Sequence, residues 1–363
     1  VQIHKLLSTI PVLLLVGGCT FLGMPTNTAT PSSDHGIEKP TQVGTPPSAP
    51  ENAGIEVSPP QRLAGHNASA SSLAFSADGK LLASTGDDIT IRLWDVASGQ
   101  EIQNWQGGSG TVQGLAFSPD GQLLASVEEN LTIALWDVSS GQAVGRIDQL
   151  GLSTCGIEFS PDGAILASGH VDGVVRLWDT ESWNLVRELS GLEALSCGVA
   201  FSPDGSRIAA GGGENDVRIL TWAVSSDELL QYIEVYSGEV PQIRAGQSKY
   251  VYKIAFSPDN TLIASASGDG KIRLWEADSG KLRYALLADR KKLSAVDFSP
   301  DGRFMVSGGI DGFVRLWDVN SGQHLAILPG QSGEIYSAVF SPVDWVFASA
   351  GENGKVLLWR VNF

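Results

Sequence analysis

From residue 61 onward, apolar and polar positions alternate in short runs, and the runs recur. Residues 156–179 show the pattern: Gly-Ile-Glu-Phe-Ser-Pro-Asp-Gly-Ala-Ile-Leu-Ala-Ser-Gly-His-Val-Asp-Gly-Val-Val-Arg-Leu-Trp-Asp. An alternating run ending at Phe159 predicts a strand. Ser160-Pro161-Asp162-Gly163 predicts a turn, because proline presets φ, aspartate bonds its own backbone and glycine accepts positive φ. A second strand is predicted over 164–168, a turn at Val171-Asp172-Gly173, and a third strand over 174–178. A short turn, Ser-Gly-Gln-like in most repeats, then leads to a fourth. Four antiparallel strands with apolar residues on both faces need a neighbour on each side.

The period fixes the architecture. Strand-ending phenylalanines stand at Phe75, Phe117, Phe159, Phe201, Phe256, Phe298 and Phe340, and tryptophans at Trp94, Trp136, Trp178, Trp222, Trp275, Trp317 and Trp359. The Phe-to-Trp spacing is 19 except in the fourth repeat, where it is 21. Seven such units predict an all-β, seven-bladed β-propeller of four-stranded antiparallel blades over residues 61–363. Composition agrees: 42 Gly and 10 Trp in 363 residues suit short strands joined by tight turns. The net charge of -16 speaks against a nucleic-acid surface. The densest basic run is Arg290-Lys291-Lys292, read first as a solvated loop.

Ahead of the repeats the pattern changes. Residues 24–60 are rich in Thr, Pro, Ser and Gly, with too few apolar positions to offset ordering entropy. Residues 20–60 therefore read as an extended stalk. The first residues carry Lys5, then an apolar run from Leu6 to Val16 and the small residues Gly17-Gly18 before Cys19. That is the layout of a secretion signal, and the run is short for a membrane span. Leu15-Val16-Gly17-Gly18-Cys19 resembles the lipobox of bacterial lipoproteins. The resemblance implies cleavage before Cys19, lipidation of Cys19 and an exported, membrane-anchored protein of the cell envelope, with 1–19 as signal peptide. A plain signal peptide or an uncleaved anchor is the alternative.

The repeats resemble the WD-repeat family. Gly65-His66 opens the first and Trp94-Asp95 closes it; Trp-Asp recurs at 136–137, 178–179 and 317–318 and decays to Trp222-Ala223, Trp275-Glu276 and Trp359-Arg360. In that family an Asp–His–Ser–Trp set braces each blade. The resemblance implies this role for His66, Ser84, Asp88 and Trp94, the one full set. The turn carboxylate persists at Asp172, Asp269 and Asp311, Asn130 and Asn353 replace it, and Asp216 is the nearest match in the fourth repeat. The histidine position is lost after the first repeat, and Ala210 stands where the fourth needs serine. Stability is therefore expected mainly from packing between blades. Gln61-Arg62-Leu63-Ala64 occupies the place of an outer strand and is expected to complete the last blade, removing an exposed edge.

Catalytic motifs are missing: there is no Gly-x-Ser-x-Gly, His-Glu-x-x-His, Cys-x-x-Cys or phosphate loop. His170 and His324 fall in different parts of the repeat, so no shared metal and no cofactor are expected. Glu158 and Asp297 each precede a strand-ending Phe and face the predicted channel, as a cation pair or as plain channel wall. Cys155 and Cys197 hold the same place in adjacent repeats, as a disulfide or as two buried thiols. Eleven extra residues precede the fifth repeat, near 225–244, as a docking element or as a hairpin packed on its own blade. Candidate partner contacts are Glu128, Glu129, His170, Leu229, Tyr232, Tyr236 and Arg290. The resulting expectation is a monomeric, non-enzymatic scaffold that binds a protein or peptide on the propeller face. The alternatives are a structural role in envelope assembly and an enzyme using the channel carboxylates.

Overall fold

The computed structural model describes residues 55–363, apart from 109, 130, 149–152, 195, 214–216 and 237–247 and the side chain of residue 155. Cys19, the leader and most of the stalk lie outside the described residues. Strands are the only regular elements among those described, and they build seven antiparallel sheets. In each blade the chain runs from an innermost strand outward. The innermost strands are Ala70–Phe75, Val112–Phe117, Thr154–Phe159, Ser196–Phe201, Val251–Phe256, Leu293–Phe298 and Ile335–Phe340. Each touches the next, and the last touches the first.

The turn between the first two strands forms as the sequence dictates. In blade 1 the Ser76 hydroxyl donates to Asp78 (2.7 Å) and accepts the Leu81 N–H (3.0 Å), while Asp78 also accepts the Lys80 N–H (3.1 Å). Gly79 closes the turn at φ 69°. The same serine–aspartate bond recurs in the next five blades. In blade 7 the inserted Val343 displaces the aspartate, and the Ser341 hydroxyl accepts the Asp344 N–H instead (3.3 Å).

Every innermost strand carries a β-bulge at its start, for example between Ala70 and Ser72. A bulge re-aims the extra side chain. Here Ser71, Gln113, Cys197, Tyr252, Ser294 and Tyr336 turn into the channel wall.

The apolar core has no single centre. It is divided into seven clusters, one at each junction between neighbouring blades. The second strand of each blade is buried on both faces, so it reads as a nearly continuous run of small and aliphatic residues.

The junction between blades 7 and 1 joins the first and last segments of the propeller. Gln61–Leu63 pairs with Val356–Asn362, with Gln61 opposite Leu358 and Leu63 opposite Val356. Leu63 is buried with Leu73, Trp94 and Val346. The closing segment is longer than the sequence suggests, because Glu56 and Val57 also pair, opposite Asn362 and Val361. Pro59 and Pro60 separate the two pieces; lacking N–H groups, they interrupt the ladder. The Arg360 guanidinium donates to the Val96 carbonyl (3.0 Å) across the same junction.

The extra residues before the fifth repeat prove to lie later than expected. Leu229–Glu234 is the regular outer strand of blade 4, with Leu229 opposite Trp222, the same seven-residue offset as Glu101 from Trp94. Ile233 and Val235 are core residues of the junction with blade 5. The added length falls within 235–250. Removing Asp227 to Glu239 would take away an outer strand rather than a loop.

Closure predicts an asymmetric response to truncation. A chain beginning at residue 65 loses both closing strands and should aggregate or unfold far below the melting point of a chain beginning at 55. A chain beginning at 58 loses the Glu56–Val57 pairing and the packing of Ile55 and Val57 on the core between blades 6 and 7, and should drop by about 2 kcal/mol. Thermal unfolding of the three settles it: equal midpoints for the 55 and 65 starts would refute closure.

Candidate functional site

The bracing set of blade 1 is assembled. The His66 Nδ1 faces Asp88 at 2.9 Å and its Nε2 faces the Ser84 hydroxyl at 2.8 Å, while the Trp94 indole N–H donates to the same hydroxyl at 2.8 Å. Burial lowers the His66 pKa, against the pull of Asp88. The serine–tryptophan bond recurs in blades 2, 3, 5, 6 and 7 at 2.8–3.1 Å. Blade 4 lacks it because Ala210 has no hydroxyl, although Trp222 is still buried.

The rest of the bracing is rebuilt by other residues. In blade 3, His170 enters from the end of the second strand, and its Nε2 meets the Ser168 hydroxyl at 2.8 Å. It thus does from a different sequence position what His66 does in blade 1. In blade 2, Glu128 holds that second-strand position and accepts the Gly108 N–H (2.7 Å). In blades 3, 5 and 6 the turn aspartate pairs with an arginine four residues on: Asp172–Arg176, Asp269–Arg273 and Asp311–Arg315. In blade 6, Asp289 occupies the histidine position and accepts the N–H groups of Lys291 (2.8 Å) and Asp311 (3.0 Å). In blade 7, Asn353 donates to Ser332 (3.2 Å). Asn130 and Asp216 lie outside the described residues.

Among the described residues, the channel carries the charged side chains of Glu158, Asp297 and Lys253 in its wall. Glu158 and Asp297 belong to a ring otherwise made of Ala74, Ala116, Ala200, Ala255 and Val339, and Lys253 borders both halves of the channel. Each carboxylate latches one blade to the next, Glu158 accepting the Phe201 N–H (3.2 Å) and Asp297 the Phe340 N–H (2.8 Å). Neighbouring innermost strands share no ladder, so these side chains supply the bonds that the backbone does not. Burial pushes the Glu158 carboxyl up to about 7, with Lys253 pulling it back, and the Asp297 carboxyl up to about 6. Among the described residues, no group of three or more His, Cys, Asp or Glu could hold a metal ion.

The candidate partner contacts separate into two groups. His170 (0% exposed) and Glu128 (5%) are turned inward and used in bracing, so neither presents itself to a partner. The carboxylate of Glu129 accepts the Thr111 N–H (3.1 Å) in a half-buried turn. Tyr236 packs against the core, with the Arg273 guanidinium 4.7 Å from its ring. Leu229 (49%) and Tyr232 (45%) are exposed on the outer strand of blade 4, and Tyr232 is covered on one face by Arg218 at 4.6 Å. Arg290 is exposed on the loop entering blade 6, bordering a groove between blades 5 and 6. The structure does not bring these residues together into one patch. The fixed Asp-x-x-x-Arg spacing was the sequence signal for the ion pairs; nothing in the repeat pattern marked His170.

Cys197 is disulfide-bonded. The chain's other cysteines are Cys19, outside the described residues, and Cys155, whose backbone alone is described.

Six segments match the family described as WD domain, G-beta repeat: residues 57–95, 99–137, 151–179, 183–220, 238–276 and 280–318. The seventh blade lies beyond these matches and is seen in the structure. The chain is also similar to the vegetative incompatibility protein HET-E-1 of Podospora anserina, at 59% identity over 39 residues. That stretch is 11% of this chain and 3% of the fungal protein, about the length of one repeat.

The channel carboxylates make stability depend on pH. In the unfolded chain Glu158 and Asp297 ionise near pH 4, about the usual carboxylate value. The folded chain holds their protons up to about pH 7 and 6. Their contribution to stability should therefore fall as pH rises from about 4 to 7 and level off above that, while buried His170, pushed down to about 4, contributes in the opposite sense over the same range. The turn aspartates shift the other way: bonds from Ser76 and Lys80 hold Asp78 down to about 2, so its contribution is lost only in stronger acid. Glu158→Gln and Asp297→Asn, which keep an acceptor for the neighbouring N–H, should match the wild type at pH 4.5 and exceed it at pH 8. Melting midpoints across that range provide the check, and variants weakened equally at both pH values would contradict it. Separately, a thiol titration of unfolded, unreduced residues 55–363 should find no free thiol; two free thiols would refute the bridge.

Proposed function

The chain belongs to the WD-repeat family, whose matches cover well over half of it, and we propose that it is a non-enzymatic scaffold that binds a protein or peptide. The carrying observation is how the buried polar groups are used. The channel carboxylates, the only acidic pair placed for chemistry by the sequence, latch blades together and face Lys253. His66 and His170 are likewise engaged in bracing. Loops around a rigid ring remain for recognition, and positioning loops on a fixed frame is a general route to binding surfaces. One chain closes its own ring, so no second copy is needed to complete the fold.

The scaffold is proposed to be exported and held at a membrane of the cell envelope by lipid on Cys19. The small residues ahead of Cys19 and the Pro-rich stalk behind it support that reading. Labelled palmitate should enter the wild-type protein and not Cys19→Ser; equal labelling would overturn the anchor. Affinity capture with immobilised residues 55–363, followed by mass spectrometry, tests the scaffold. A saturable partner is the expected result. Turnover of a small substrate, or a requirement for the anchor with no discrete partner, would replace it with the enzymatic or the structural reading.

A further inference from the structure

Seven copies of one unit allow each position to be compared with its six equivalents inside the same molecule. Most departures from the repeat are buried and compensated locally, as with His170. A few reach the surface, and three of these meet at one place.

The outer strand of blade 5 ends at Leu287, twelve residues past Trp275. The same offset gives Gln106, Asp148 and Ser190 in blades 1 to 3, Glu234 in blade 4 and Pro329 in blade 6. Leu287 is 63% exposed, the highest value for any large apolar side chain among the described residues. Ile327 stands ten residues past Trp317, where blades 1 to 3 have Asn104, Arg146 and Glu188 and blades 4 and 5 have Tyr232 and Ala285, and it is 48% exposed. Ile310, half-buried and twelve past Phe298, takes the place of Asp87, Glu129 and Glu352, with Val171 in blade 3 as its one branched apolar equivalent. None of the three belongs to a junction core. All three line one groove of about 470 Å³ between blades 5 and 6. Its rim is the loop carrying Arg290 and Lys291, both exposed. Lys292, the next residue, is drawn away into an ion pair with Glu334 at 2.5 Å.

Charge sets this sector apart. Between Lys249 and Arg315 there are eleven Lys and Arg against eight Asp and Glu; the rest of the chain has thirteen against thirty-two. At physiological ionic strength, charges beyond about 8 Å are largely screened. An approaching segment therefore meets the local cationic rim rather than the net charge of -16.

We propose that the groove between blades 5 and 6 is the docking site for an acidic peptide segment of a protein partner that carries one large aliphatic or aromatic anchor. The anchor lies between Leu287, Ile310 and Ile327, and the flanking carboxylates meet Arg290 and Lys291. The Asp311–Arg315 pair closes the groove floor, where the bond is already satisfied within the protein. This assignment rests on the scaffold reading and adds the site and the chemistry of its partner.

The test uses the full chain and fluorescein-labelled peptides of Asp, Glu and Gly around a single central Leu or Phe. Controls replace the acidic residues by Lys or the anchor by Gly. Two variants are exposed changes that spare the core: Leu287→Gln, which installs the residue of blade 1, and Arg290→Glu with Lys291→Glu. The anchored acidic peptide should bind by anisotropy and both controls should not. Affinity should fall roughly tenfold in Leu287→Gln, the order expected for one buried aliphatic side chain, and at least as far in the charge-reversed variant. Equal binding to wild type and variants, or no binding by the acidic peptides, overturns the groove. Binding of phosphatidylserine vesicles in place of peptide, or self-association lost in the variants, also overturns it in favour of a lipid surface or a second copy. Capture of a partner equally by wild type and variants leaves the scaffold standing and removes this site, whereas an absent partner removes the scaffold itself.

Discussion

A blade with two apolar flanks cannot be covered by itself. Each must find a neighbour on both sides, and a row of such units ends in two bare faces unless it curls into a ring. The rest of the structure follows from that requirement. The core is distributed over seven junctions, and the junction where the propeller's first and last segments meet has the same form as the others. Closure is carried by strand pairing of Gln61–Leu63 with the last blade. The edge that would otherwise template aggregation is thereby paired.

Closing the ring creates a second demand at its centre. Innermost strands stand side by side without sharing a hydrogen-bond ladder, so their polar edges need other partners. The bulge that starts every innermost strand helps by turning an extra side chain into the channel wall, as Ser71, Gln113, Cys197, Tyr252, Ser294 and Tyr336 show. The Ser71 hydroxyl reaches the Val112 carbonyl of the next blade (2.8 Å), and Glu158 and Asp297 do the equivalent with backbone N–H groups. Two carboxylates that sequence alone could place in catalysis are explained by this demand. Their raised pKa values report confinement in the wall, with Lys253 as the nearby cation.

The fold was legible because its signals are local and repeated: the Ser-x-Asp turn, the Phe-to-Trp spacing and the Trp-Asp closure each act within a single blade. The candidate site was less legible, because bracing is a matter of space and not of sequence position. His170 lies at the end of the second strand of blade 3, two residues past Ser168, the serine it bonds. In blade 1 the equivalent serine, Ser84, is reached by His66 from the entering loop, eighteen residues ahead of it. Position-by-position comparison registers a lost histidine and misses its replacement. Leu229 and Tyr232 erred in the opposite direction: extra length nearby made an ordinary outer strand look like an insertion, although the Trp222–Leu229 register is that of blades 1, 2, 3, 5 and 6.

Repetition also separates what the scaffold requires from what it does not. A buried departure from the repeat has to be compensated on the spot, and the structure shows the compensation: Glu128 takes the Gly108 N–H, and Asp289 takes those of Lys291 and Asp311. Such departures say little about function, because their polar groups are taken up by local partners. A departure at the surface is under no such demand. Leu287, Ile310 and Ile327 stand mostly where other blades have polar or charged residues, pack in no junction core, and nothing in the fold accounts for them. An apolar side chain left exposed gains nothing on folding, and apolar side chains gathered at one exposed place mark a surface that gains by being covered. Three such residues converging on one groove, beneath a basic loop in an acidic chain, are therefore better explained by what covers the groove than by how the blade folds.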